Sequence, residues 1–168
     1  MSDDAFDQRL AAAGNHLAGL TPTLEAGGPW PLAARFDHAP EASWGPCEIL
    51  AHVAEMLSFW LGEAERILDV DDGPAPFGRK ATDDVRLAII ERDRSLPIRE
   101  LSARVQAGIE RWRRRWAELD EGARQRSGSH VTLGAMTVTD VADRFVVGHL
   151  EEHLDQLAEA AGGGSTAR

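Results

Sequence analysis

The sequence predicts an all-α protein: a four-helix bundle with a long crossover connection and a short extra helix. Three observations predict this fold class. Four long segments carry apolar residues at helical spacing, stretches rich in glycine and proline separate some of them, and no segment has a convincing strand pattern. Long connections occur in bundles whose helices do not simply alternate in direction. We therefore expect one domain over residues 1–161, followed by a disordered glycine-rich tail at 162–168.

The first two long helices are predicted on either side of a loop. The first begins at residue 3 or 4 and ends near Leu20, because Pro22 should interrupt it. The loop covers about residues 27–43 and contains several glycines and prolines. Pro46 suits the first turn of the second helix. Apolar residues cover more than half of that helix's circumference, which predicts a central position in the bundle.

The second half of the chain supplies the short helix and two more long ones. Residues 69–78 are rich in turn-forming residues and are the predicted crossover, and a short helix from 83 or 84 to 93 follows. A long helix that begins near Pro97 carries one apolar stripe. The stripe consists of Leu101, Val105, Ile109, Trp112, Trp116 and Leu119. After a polar loop at about 122–134, Thr139 is expected to cap the last long helix.

Charge and composition limit the classes of partner. Residues 111–116 read RWRRRW, which resembles a basic aromatic nucleic-acid patch, but on a helix the tryptophans face the core and the arginines face solvent. A net charge of −10 opposes binding to nucleic acid or to an anionic membrane, and no segment is long enough to span a bilayer. Cys47 is the only cysteine, so no internal disulfide can form. We expect a cytoplasmic protein with no nucleic-acid or membrane partner.

Three histidines form the candidate site. His149 and His153 are four residues apart, which places both rings on one helix face, where a single metal ion can reach both. Both fall within the apolar arc of the last helix, and His52 lies at one edge of the apolar arc of the second helix. If His52 faces the pair across the bundle, the three nitrogens leave an open position, as in a catalytic metal site. The alternative is three ordinary histidines at the edge of the core, hydrogen-bonded to backbone or carboxylate groups.

The other three histidines and a second sequence motif offer alternatives that are less favoured than the three-histidine site. His16, His38 and His130 are predicted to be surface residues, with His130 the nearest to the rim of the site. Residues 149–153 also match the H-x-x-E-H pattern of inverted zinc peptidases. Those enzymes need a further ligand downstream and a large substrate cleft, whereas only fifteen residues follow His153 here and they end in a glycine-rich tail. A peptidase is therefore the less favoured hypothesis.

Two segments resemble the DinB-like superfamily, which includes bacillithiol transferases and the metal-binding domain of mycothiol-dependent maleylpyruvate isomerases. One segment is WGPCEILAH at 44–52, which is similar to the family's tryptophan followed by a helix with a ligand histidine. The other is GAMTVTD at 134–140, which leads into His149, His153 and Gln156. The resemblance implies a four-helix bundle in which His52, His149 and His153 bind a divalent ion, zinc or nickel, with water completing the coordination.

The resemblance also implies a function. Family chemistry is transfer or isomerisation that involves mycothiol or another low-molecular-weight thiol, with a small-molecule substrate, and homodimers can form through helix faces. On this hypothesis Glu55 or Glu48 orients a ligand or moves a proton, and Gln156 hydrogen-bonds the bound water or substrate. The alternative is a stress-associated protein that binds metal or dimerises without catalysis, since the sequence offers no strong nucleophile or acid pair beyond the metal site.

Overall fold

The computed structural model describes residues 3–32, 43–71, 73–80 and 83–163. Four long helical units pack around one apolar core, which confirms the predicted fold class. In chain order the helices are α1 (Asp3–Ala26), α2 (Pro46–Asp69), α3 (Asp84–Asp93), α4 (Ile98–Glu118), α5 (Glu121–Arg124), α6 (Val138–Val141) and α7 (His149–Gly163). A π-helical segment, Ala142–Gly148, joins α6 to α7, so these three together form the fourth long unit.

The packing of the helices shows where the chain crosses the bundle. α1 and α2 each pack against both α4 and α7, so α1 and α2 occupy opposite corners. The diagonal connections therefore lead from α1 to α2 and from α4 to α6. Residues 69–78, predicted as the crossover, instead lead through α3 to α4, which is a direct neighbour of α2. The location of the predicted crossover was wrong because turn-forming composition does not indicate which corner the next helix takes.

Three predicted helix ends differ from the structure. α1 continues through Pro22 to Ala26, because Pro22 itself is exposed and the next turn buries Leu24 completely in the core. The last unit is capped by Thr137 rather than Thr139: Thr137 Oγ1 accepts from the Asp140 amide at 3.0 Å, and Asp140 accepts in return from the Thr137 amide at 2.8 Å. α7 includes the first residues of the predicted tail, and residues 164–168 lie outside the described part of the chain.

A small sheet at one end of the bundle contradicts the expectation that the chain has no strands. Its strands are β1 (Ala75–Phe77), β2 (Ser127–His130) and β3 (Gly134–Thr137), in the order β1-β2-β3. β1 and β2 are parallel, and β2 and β3 are antiparallel. The strand sequences are short and contain mainly alanine, glycine, serine and proline, which have low strand propensity. Tertiary contacts with the bundle, and not local sequence preference, select this structure.

The close approach of β1 to β2 gives a first testable prediction. A Cβ atom on Gly128 would lie 2.7 Å from Phe77 Cδ1, 2.8 Å from the Ala75 carbonyl oxygen and 2.8 Å from Ile67 Cγ1. We expect Gly128→Ala to lower the free energy of unfolding by about 1–3 kcal/mol, because the backbone oxygen cannot move without breaking the strand pairing. Urea denaturation measures this, with Ser129→Ala on the exposed side of β2 as the control. Equal midpoints for the two variants would contradict the close packing.

The core face of α4 matches its predicted stripe. All six stripe residues are buried, including Trp112 and Trp116. Arg113 and Arg115, which lie between these tryptophans, form ion pairs with carboxylates of α1, α2 and α4 itself. The tryptophans of this segment thus lie in the core, and its arginines lie on the outer face of α4. Within the described residues, no helix combines the length and apolar character that crossing a membrane requires.

Candidate metal centre

The three predicted ligand histidines meet between α2 and α7. His52 lies in the second turn of α2, and His149 and His153 lie one turn apart at the start of α7, where that helix packs against α2. His52 and His153 are buried, and His149 is half-buried. The helical spacing predicted from the sequence is therefore combined with a facing residue from a distant part of the chain.

The ring nitrogens converge on a common point. His149 Nε2 lies 3.1 Å from His52 Nε2 and 3.1 Å from His153 Nε2. The three ligand atoms all lie within 4.8 Å of one another. Nitrogens bound at about 2.0–2.1 Å to one tetrahedral ion are separated by about 3.3 Å. The observed spacing is therefore close to that of a shared metal ion.

The outer nitrogen of His153 has a hydrogen-bond acceptor, and that of His149 has a carboxylate nearby. His153 Nδ1 donates to Gln156 Oε1 at 3.1 Å, and His149 Nδ1 lies 3.6 Å from Glu152 Oε2. A ligand histidine commonly has an acceptor in this position, because it fixes the proton on the outer nitrogen and leaves the inner lone pair for the metal. The contact with Gln156 thus holds His153 in the tautomer that metal binding requires.

This arrangement satisfies its hydrogen bonds poorly unless a cation is present. In the tautomer that metal binding requires, with the proton on Nδ1, His149 and His153 would direct two Nε2 lone pairs at each other across 3.1 Å. A single ring nitrogen can form only one in-plane hydrogen bond, so His149 Nε2 cannot satisfy both of its neighbours. One divalent ion would accept the lone pairs of His149 and His153 at once, and that of His52 when its Nε2 carries no proton. The donor set therefore fits a metal ion on chemical grounds as well as on distance.

His52 has a different outer contact. Its Nδ1 lies 3.3 Å from a guanidinium nitrogen of Arg86, which can only donate. Arg86 is itself buried and lies against the ring of Trp44, 5.4 Å from its centroid. Burial, together with the charge of Arg86, holds the pKa of the His52 imidazole well below its usual value, so the free ring is uncharged. Because Arg86 favours the tautomer with a proton on Nε2, metal binding by His52 must displace that proton or move Arg86.

Three residues were predicted to assist the metal, and they differ in whether they contact a ligand histidine. Gln156 is hydrogen-bonded to His153 and so contacts the triad formed by His52, His149 and His153. Glu55 is buried and accepts from both terminal nitrogens of Arg79 at 2.6 Å; among the described residues it makes no hydrogen bond to a triad histidine. Glu48 is fully buried, where it accepts from the Gly45 amide at 3.1 Å and from Arg94 at 3.2 Å. Glu48 thus stabilises the start of α2, and Glu55 holds Arg79 in the segment that follows β1.

A cavity of about 250 Å³ lies beside the triad. His52 and His149 form part of its wall, and Trp60 and Phe145 form another part, with their rings stacked in parallel at 4.2 Å. Phe145 belongs to the π-helical segment directly before His149. Segments of this type often occur at functional sites because they change the direction of side chains within a helix. The cavity gives the candidate metal position an open side.

His130 also lines this cavity, and its predicted surface position was wrong. It is 7 % exposed, because β2 places its ring between Phe77 and the stacked pair of Trp60 and Phe145. Burial is the main reason that its pKa lies below the usual value. The expectation that it approaches the rim of the site agrees with its place in the cavity wall. No helical pattern could have revealed this burial, because it depends on the small sheet.

The two other histidines lie away from the described site or outside the described structure. His16 is exposed on α1, as predicted. His38 lies outside the described residues, so its predicted position is not tested. His16 does not belong to the cluster of potential metal ligands found within the described part of the chain.

Of the comparisons with known proteins, the one with family models found a match. No curated protein and no solved structure matches the chain. The family model of the DinB superfamily matches residues 2–157, which include all three triad histidines and Gln156. This match covers nearly the whole chain and agrees with a helical bundle in which three histidines converge. Together these findings establish the family to which the chain belongs. The chain belongs to the DinB superfamily.

Proposed function

We propose that this protein is a metal-dependent enzyme that transfers a low-molecular-weight thiol to a small electrophile, or isomerises a substrate with the help of such a thiol. The observation that carries the proposal is the convergence of His52, His149 and His153 beside a cavity. A closed structural site would surround its ion with protein ligands, whereas three ligands and an adjacent cavity leave room for a reacting group. The proposed ion is zinc or nickel, both of which accept imidazole nitrogen.

The ion supplies one element of the chemistry and the chain supplies the rest. A divalent cation held by three neutral imidazoles would lower the pKa of a thiol that reaches its open side, so that thiolate is available near neutral pH. Gln156 orients the ring of His153. Glu55 holds Arg79 in the cavity wall through its paired hydrogen bonds, which makes it a positioning residue. The stacked rings of Trp60 and Phe145 exclude water from one side of the cavity.

A turnover assay tests the proposal. Zinc-loaded and nickel-loaded protein are supplied with mycothiol, bacillithiol or glutathione and with 1-chloro-2,4-dinitrobenzene as the electrophile. In the expected reaction a carbon–sulfur bond forms, the carbon–chlorine bond breaks, chloride leaves and the thiol proton passes to the buffer. We expect the rate with at least one thiol to fall more than 100-fold in His153→Ala, because removal of a ligand removes the ion.

His16→Ala provides the matched control, since His16 is an exposed histidine on α1. Rates for the wild type that equal those of His153→Ala with every thiol would refute thiol transfer to this electrophile class. If the wild type then still binds one equivalent of metal and forms dimers, a non-catalytic metal-binding scaffold becomes the better description. Analytical ultracentrifugation with and without zinc supplies that second measurement.

A further inference from the structure

The charges that line the cavity all have the same sign. Its charged lining residues are Arg79, Lys80 and Arg86, and among the described residues no carboxylate lines it. The chain as a whole has a net charge of −10. A local group of cations in a strongly acidic protein favours a ligand of negative charge.

Two of the lining cations already have partners. Arg79 forms paired hydrogen bonds with Glu55, and its guanidinium lies 3.7 Å from the centroid of Phe59. Arg86 contacts His52. Lys80 differs from both: it is exposed at the cavity edge and, among the described residues, forms no ion pair. Lys80 is also the only lysine in the sequence. Lys80 is therefore the lining cation best placed to form an ion pair with an anionic ligand.

The rest of the cavity limits the size and shape of such a ligand. Trp60 and Phe145 stack with an interplanar angle of 6°, and His130 continues the same wall at 22° to Phe145. These rings together present a flat aromatic wall, of which Trp60 and Phe145 form the apolar part. The volume of about 250 Å³ is smaller than the ~300–1,000 Å³ usual for drug-sized ligands. A space of this size suits a small molecule with a compact apolar body.

We infer that the cavity binds a small organic carboxylate, with Lys80 as the residue that selects its charge. This inference rests on the proposed function, for which it names the substrate class: the electrophile carries a carboxylate and an apolar body. The carboxylate lies toward Lys80, and the body lies against Trp60 and Phe145. Lys80 is a specificity-determining residue because it binds the unreactive end of the substrate and does not act on the reacting atoms.

A binding measurement tests the inference without turnover. Zinc-loaded wild type is titrated with benzoate and, separately, with benzamide, which has a similar shape and no charge. Isothermal calorimetry is expected to show tighter binding of benzoate. We expect Lys80→Met to weaken benzoate binding about three- to tenfold, while Lys80→Arg retains most of it, because a single charge-assisted contact at an exposed site contributes this much. The preference for benzoate should also decrease as salt is raised.

The controls separate this inference from the proposed function. All variants are compared at equal zinc loading, and Arg114→Met removes an exposed cation of α4 that does not line the cavity. Equal binding of benzoate and benzamide to the wild type would overturn the inference. So would a benzoate preference that Lys80→Met leaves unchanged, because the carboxylate would then be held by the metal ion. Either result leaves the thiol-transfer assay unaffected, and a failed transfer assay does not alter the benzoate measurement.

Discussion

Replacing His153 by alanine is expected to lower zinc affinity more than 100-fold, the largest effect on the site that we predict. Loss of an outer hydrogen-bond partner already weakens metal sites by about 10- to 100-fold, and loss of a direct ligand should exceed that range. The remaining pair, His52 and His149, would hold an ion with two nitrogens separated by 3.1 Å. Competition with a chromophoric chelator measures the affinity, and elemental analysis gives the stoichiometry.

Thermal stability provides an independent readout of the same substitution. An ion present at about 1,000 times its dissociation constant stabilises the folded state by about 4 kcal/mol, so added zinc should raise the melting temperature of the wild type and of His16→Ala. It should leave His153→Ala nearly unchanged. One equivalent of tightly bound zinc in His153→Ala would contradict the three-histidine centre. Circular dichroism checks that the variant keeps its helical fold, so that a loss of affinity reports on the site.

The site was predictable to the extent that helical geometry controls it. The spacing of His149 and His153 places their rings on one face of α7 whatever the rest of the chain does. The position of His52 at the edge of an apolar arc favoured a location facing the bundle interior, and the packing of α2 on α7 brings its ring to the pair. Local periodicity thus identified the residues, and the tertiary fold supplied the distance between them.

The surroundings of the triad depend on contacts that no local pattern encodes. His130 becomes part of the cavity only because β2 pairs with β1 and β3, and the strand sequences have little strand preference. The contact of Arg86 with His52 requires α3 to pack on α2, and α3 is a short helix whose sequence has no strong apolar face. The expectation for Glu55 came from its nearness to His52 along α2. In the structure its carboxylate is engaged by Arg79.

The second large effect concerns the bundle rather than the site. Trp112→Ala is expected to lower the free energy of unfolding by about 3–5 kcal/mol. The Trp112 side chain is 1 % exposed, its Nε1 donates to the Leu57 carbonyl at 2.9 Å, and Phe6 meets its ring edge-to-face at 6.1 Å. One side chain of α4 therefore joins α1 and α2, which lie at opposite corners. Because domains of this size are stable by about 5–15 kcal/mol, the change removes a large fraction of the total.

Urea denaturation measures the loss, and two variants separate its causes. Trp112→Phe keeps an aromatic ring but removes the donor to Leu57, so it should cost less than Trp112→Ala; Arg114→Ala, at an exposed position of the same helix, should stay within about 0.5 kcal/mol of the wild type. A loss below about 1 kcal/mol in Trp112→Ala would contradict the tight packing of α4. Trp112 contacts neither the triad nor the cavity, so the folded variant should still bind one equivalent of zinc. Zinc that stabilises Trp112→Ala as strongly as the wild type would show that the metal centre depends on the α2–α7 contact and not on the strength of the whole core.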